Sequence, residues 1–188
     1  MRTVLLSSMA IFLLAGCGDP DAADQPADGP DAAPAEPAAL ETPDWIQVDD
    51  DAETVRIDLI AGETGSNNYW NFNGFHGGQG EIVVPEGYEV TIYFENRDPN
   101  MAHSVGVGEL EAQYPSTFSE VTPIFEGAVS SNPTSSSEST LPGESEEFTF
   151  VASEAGEFAL ICYVPAHAVT GMWMPFTVSA EGEYGVRS

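Results

Sequence analysis

The chain contains no lysine. Its four basic residues are all arginine (Arg2, Arg56, Arg97 and Arg187), against 31 acidic ones, for a formal net charge of −27. A surface of that sign repels phosphate backbones and anionic lipid headgroups, which argues against nucleic-acid binding. What it does favour is solubility in a salt-rich habitat, electrostatic steering toward a basic partner, or both. Cysteine is scarce, with only Cys17 and Cys162, and so is histidine, with His76, His103 and His167. No ten-residue helical period stands out, and no apolar run is long enough for a stable transmembrane helix.

What is present begins with a targeting pattern. Arg2 precedes the apolar run "VLLSSMAIFLL", which ends in "LAGC", Leu14 to Cys17. Residues 1–16 therefore read as a signal peptide. The tetrapeptide resembles the lipobox of bacterial lipoproteins, which implies a lipidated Cys17 on the extracytoplasmic side of the cell envelope. Such a Cys17 leaves Cys162 without an intramolecular partner. An unpaired thiol outside the cytoplasm has to be buried or engaged in chemistry. From Gly18 to Asp44 come six prolines and eight acidic residues with almost nothing large and apolar. That composition cannot offset its ordering entropy, so residues 17–44 read as a disordered tether.

From residue 45 the texture changes to short β-type runs separated by Gly, Pro, Asn and Asp. Candidate strands cover 46–49, 54–61, 68–74, 81–85, 89–96, 103–108, 145–152, 157–163 and 172–179. "EVTIYFEN" alternates cleanly, with Val90, Ile92 and Phe94 on one face. Many short alternating strands predict an all-β fold, a Greek-key β-sandwich over 45–188. The long stretch between Gly108 and Glu144 is the exception. Its "PIFEGAV" is expected to pack on the sandwich, and residues 130–140 to form a solvated insertion.

The segment "ICYVPAHAVTGMW" sets Cys162, His167 and Met172 at even intervals. A thiolate, two imidazoles and a weak axial thioether suit a copper electron-transfer site. One imidazole is missing from the loop, and His103 or His76 must supply it. His103 opens a short strand at one end of the sandwich. His76 lies in a glycine-rich turn, where an exposed side chain is expected. Met101 and Met174 compete with Met172 as thioether, although both also suit gaps in the core.

"CYVPAHAVTGM" resembles the ligand loop of rusticyanins and sulfocyanins, blue copper proteins of the cupredoxin fold. "WNFNGFHGGQGEIVVPEGYEVTIYFEN", "MAHSVGV" and "PIFEGA" resemble the corresponding stretches of sulfocyanin-like domains, so the likeness runs over about residues 68–179. The resemblance implies one type 1 copper ion, held by His103, Cys162 and His167 with Met172 axial. It also implies one-electron transfer in a respiratory chain, and so redox partners such as a cytochrome or terminal oxidase. The net charge points to a basic docking face on those partners, and the membrane would be reached through the lipid anchor alone.

Three inferences extend the site. The Ser104 N–H is placed to reach the Cys162 sulfur, a contact that raises the reduction potential. Pro165 stiffens the loop without adding a donor. Val164, Ala166, Ala168 and Val169 surround His167 with apolar groups, an expected docking patch if the His167 edge reaches the surface. Tyr163 and Trp173, which flank ligands, read mainly as packing, with a role in electron conduction as the alternative. Other chemistries fit less well. A copper-delivery protein would cluster exposed His and Met, a second catalytic copper needs further histidines, and a dinuclear copper loop needs a second cysteine. A Cys–His nucleophile would leave Met172 idle.

Overall fold

The structure is a computed structural model that describes residues 39–188; the signal segment, Cys17 and most of the expected tether lie outside them. In chain order the strands are β1 (Ile46–Asp49), β2 (Thr54–Ala61), β3 (Glu81–Pro85), β4 (Glu89–Asn96), β5 (Gly106–Glu109), β6 (Ser145–Val151), β7 (Gly156–Ile161), β8 (Trp173–Ser179) and β9 (Gly185–Arg187). They form one sheet in the order β1-β2-β4-β6 and another in the order β5-β7-β8-β3-β9. Pairing is antiparallel except for β2 with β4 and β3 with β8.

Alternation explains the layers. In β2 the large buried residues are Val55, Ile57 and Leu59, and β4 sets Val90, Ile92 and Phe94 beside them in register. The other sheet answers with Ile82 and Val84 from β3, Leu160 from β7, and Met174, Phe176 and Val178 from β8. Each of these large apolar side chains contributes about 1.5–3 kcal/mol through burial. The outward positions of β4, Thr91, Tyr93 and Glu95, stay partly exposed. Met174 belongs to this core, whereas Met101, also a candidate gap-filler, is exposed.

Four expectations need correction. Residues 68–74 are not a strand. Asn67, Asn68 and Tyr69 all have positive φ (48°, 58° and 67°), a left-handed turn that asparagine tolerates through local hydrogen bonds. Asn67 Nδ2 donates to the Trp70 carbonyl at 2.8 Å. The buried Asn71 donates to the carbonyls of Thr64 and Ser66, each at 2.8 Å. Ladder pairing of the 103–108 run begins only at Gly106, with His103 in an isolated bridge to Thr140. The segment 130–140 is not simply a solvated insertion, because Ser130, Ser139 and Thr140 are buried and the Thr140 carbonyl accepts from His103 N–H at 3.0 Å. Finally, Glu41 pairs with Val186 through backbone bonds of 2.9 and 2.7 Å, so the folded unit starts before 45. It also gains β9, too short to stand out as a pattern.

Candidate metal centre

The centre forms where the β7–β8 connection meets the segment leading into β5. The Cys162 N–H donates to the Met172 carbonyl at 3.1 Å, and the Met172 N–H donates to the His167 carbonyl at 2.9 Å. These bonds close residues 162–172 into a compact loop. Gly171, at φ 103°, makes the reversal before Met172 and accepts from Gly77 N–H at 2.7 Å. Met172 itself is fully buried.

His103 comes from the segment leading into β5, bridged to Thr140. Asn96, buried at the end of β4, donates through Nδ2 to the carbonyls of Met101 and Thr140, each at 2.8 Å. Its Oδ1 accepts from Asp98 N–H at 2.9 Å. Asp98 Oδ1 in turn accepts from the N–H groups of Asn100 (2.8 Å) and Met101 (3.1 Å). The other oxygen of that buried carboxylate lies 2.9 Å from His103 Nε2. A hydrogen on Nε2 leaves the His103 Nδ1 lone pair free and aimed inward.

Three donor atoms then converge. His103 Nδ1 is 3.1 Å from His167 Nδ1, and Cys162 Sγ is 3.9 Å from the first and 3.5 Å from the second. With metal–nitrogen bonds of about 2.0 Å and metal–sulfur bonds of about 2.3 Å, a trigonal plane spaces its donors roughly 3.5–3.7 Å apart. The observed separations bracket that spacing. The donor set fits a metal of the softness and geometry of copper. His76 is not in this cluster.

Electrostatics agree. Burial pushes the His167 pKa down to about 3, with His103 adding to the shift and Asp98 opposing it. Burial also lowers that of His103, against the Asp98 hydrogen bond. Both rings are therefore neutral near pH 7. The Cys162 thiol is pushed up to about 11, chiefly by burial, with the Ser104 contacts opposing. Metal uptake at pH 7 should thus release one proton, from sulfur and not from the imidazoles. A proton is then a product of binding, so affinity should drop about tenfold for each unit of pH lowered in that range. As the pH falls through the lowered pKa of His103 and then that of His167, about 3, the fall should steepen as further protons compete. Proton release into weak buffer, read with an indicator dye, checks the count; release of two protons at pH 7 would contradict it.

The other residues singled out from the sequence fall as follows. Ser104 N–H lies 3.5 Å from Cys162 Sγ, and the Ser104 hydroxyl lies 3.8 Å from it while accepting from Tyr163 N–H at 2.9 Å. Pro165 is exposed beside Ala166, whose φ of 72° turns the loop and whose N–H donates to the Ser116 carbonyl at 2.7 Å. The expected docking patch is only half formed. Ala166 and Val169 are exposed, but Val164 and Ala168 are buried, because the 3-10 turn Ala168–Thr170 rotates Ala168 inward. His167 is buried as well, and Trp70 stacks on its ring at 4.0 Å and 19°. The left-handed turn at 67–69 delivers that indole. Sequence reasoning missed both Trp70 and Asp98. The "DPN" turn just ahead of His103 was a readable signal for Asp98; nothing local marked Trp70.

Comparison with known proteins settles the family. The model of the "Sulfocyanin (SoxE) domain" matches residues 42–183. The chain belongs to the sulfocyanin family. Sulfocyanin from Sulfolobus acidocaldarius is 27% identical over 132 residues, covering 68% of this chain and 64% of that protein, so the match spans less than two thirds of the relative's length. Among solved structures, rusticyanin from Thiobacillus ferrooxidans is similar over 75% of this chain and 100% of its own, at 19% identity and a TM-score of 0.47. Reduced auracyanin from Roseiflexus castenholzii covers 66% of this chain and 96% of its own, at 22% identity and a TM-score of 0.45. For this member of the sulfocyanin family, the arrangement of His103, Cys162, His167 and Met172 is that of a type 1 copper site, and one copper ion is the cofactor it fits.

Proposed function

We propose that the chain is a lipid-tethered carrier of single electrons between respiratory redox proteins, held by Cys17 on the extracytoplasmic side of the cell envelope. Its partners, such as a cytochrome or a terminal oxidase, would present basic docking faces to so acidic a protein. The observation that carries the electron-transfer reading is the convergence of the two Nδ1 atoms and Cys162 Sγ inside a buried, hydrogen-bonded cage. A copper ion held there supplies a Cu(II)/Cu(I) couple. The residues' part is to keep one geometry for both states, so that little rearranges as the electron moves. Asp98 fixes the His103 ring, Trp70 covers His167, and the backbone bonds of 162–172 resist spreading. The same enclosure disfavours copper delivery, since an acceptor's ligands would have to reach donors that are almost fully buried.

Cyclic voltammetry of the copper-loaded chain tests this reading. One reversible one-electron wave, with copper retained against a Cu(I) chelator, is the expected result. An irreversible wave with rapid loss of Cu(I) would favour delivery. The anchor has its own test. Cys17→Ser should move the protein from the membrane fraction to the soluble fraction of cells, and continued membrane retention would count against lipidation at that residue.

A further inference from the structure

Tyr163 follows ligand Cys162 in the chain, yet its ring takes no part in the metal cage. It lies across β5, where Gly106 and Gly108 leave room for it. A Cβ at Gly108 would come within 2.5 Å of the Tyr163 hydroxyl, and one at Gly106 within 3.0 Å of the ring. The residue is 4% exposed, and its hydroxyl, bonded to no other group among the described residues, opens to solvent. That unpartnered group lines a surface groove of about 410 Å³, with Phe118 edge-on to the ring at 4.8 Å.

The rim of the groove carries Glu109, Glu111 and Glu120, all exposed. Tyr114 braces two of them, donating to the Glu109 carbonyl at 3.0 Å and accepting from Glu111 N–H at 3.2 Å. None of the three carboxylates is in an ion pair among the described residues. Arg56, Arg97 and Arg187 are each engaged with other acids. The groove therefore joins uncompensated negative charge to an aromatic floor one peptide bond from the thiolate ligand.

We propose that this groove is the docking site for a redox partner with a basic face, and that Tyr163 is the bridge through which the electron passes to or from Cys162. The inference rests on the electron-carrier reading and gives it a place on the surface. One electron leaves Cu(I), giving Cu(II), and reduces the partner by one; the tyrosine ring couples the two centres without itself being oxidised. A lysine or arginine of the partner would meet the rim glutamates, and an apolar edge of its cofactor would meet Phe118 and the Tyr163 ring.

The experiment has two arms. In the first, the copper-free full chain is titrated with hexaamminechromium(III), a redox-inert paramagnetic trication, and amide NMR line broadening is mapped. Broadening centred on Glu109, Glu111 and Glu120 is expected, and it should weaken in Glu109→Gln/Glu111→Gln. In the second, the copper-loaded chain, first reduced to Cu(I), is oxidised by a cationic c-type cytochrome or by anionic hexacyanoferrate(III). The glutamine variant should slow the cytochrome reaction roughly tenfold at low salt and spare the hexacyanoferrate reaction. Tyr163→Leu should slow the cytochrome reaction while leaving the visible band in place. Broadening spread evenly over the acidic surface, or unchanged cytochrome rates in variants that keep the band, would overturn the docking site. A wild-type chain with no such band would instead overturn the electron-carrier reading, and the copper-free NMR arm would still decide the groove.

Discussion

Replacing Cys162 with alanine should abolish the intense visible absorption of the copper-loaded chain altogether. That absorption requires a thiolate bound to copper, and Cys162 is the one cysteine among the described residues. Its sulfur sits 3.5 Å from His167 Nδ1 and 3.9 Å from His103 Nδ1, so its loss leaves an open corner in the donor triangle. Copper affinity should fall by more than the about 10–100-fold cost of losing an outer-shell partner. The fold should survive, because the substitution removes one small buried atom from a core held by two paired sheets. Far-ultraviolet circular dichroism and the melting temperature of the copper-free variant establish that survival. A folded variant that kept the intense band would disprove thiolate ligation. Proton release on copper uptake should vanish with the band, which gives the same substitution a second, independent readout.

Asp98→Ala should weaken copper binding by about 10–100-fold without removing any ligand. The carboxylate holds His103 Nε2 at 2.9 Å and is itself fixed by the N–H groups of Asn100 and Met101. Without it the His103 ring loses its orientation and its preference for the tautomer that frees Nδ1. Asp98→Asn keeps the size of the side chain and removes its charge. Its one amide oxygen stays with the Asn100 and Met101 N–H groups, which turns the NH2 toward Nε2 and favours the tautomer with hydrogen on Nδ1, so affinity should fall about as far as in the alanine variant. The negative charge is gone, however, and that charge favours the more positive oxidised metal state. The reduction potential of Asp98→Asn should therefore be higher than that of the parent. A potential that falls would contradict the charge argument, and an affinity unchanged in Asp98→Ala would show that the carboxylate serves folding alone.

The strands were legible because each side chain declares its face. Val90, Ile92 and Phe94 alternate with polar neighbours, and the register with Val55, Ile57 and Leu59 follows from burying both sets in one layer. Cys162, His167 and Met172 were legible because they share one loop, and His103 because few other histidines could serve. What stayed hidden depends on contacts between distant segments. Trp70 reaches His167 only through three left-handed residues, a conformation that leaves no periodic trace. The same turn erased an expected strand and set an indole against the ring face of His167. Thr140 could not be linked to His103 from spacing alone, since a long irregular connection folds back to make that bridge. The groove over Tyr163 is of the same kind: the Tyr163 ring comes from just past the end of β7, and Phe118 and the acidic rim come from residues 109–122.

The most direct test of the metal centre is an absorbance titration of the full metal-free chain with Cu(II), followed by paramagnetic resonance of the loaded protein. An intense thiolate-to-copper band that grows linearly and stops at one equivalent is the expected result, with a single copper signal. Weak absorption only, or a band that saturates at another stoichiometry, would mean that His103, Cys162 and His167 do not hold copper together, and the account of the site would fail.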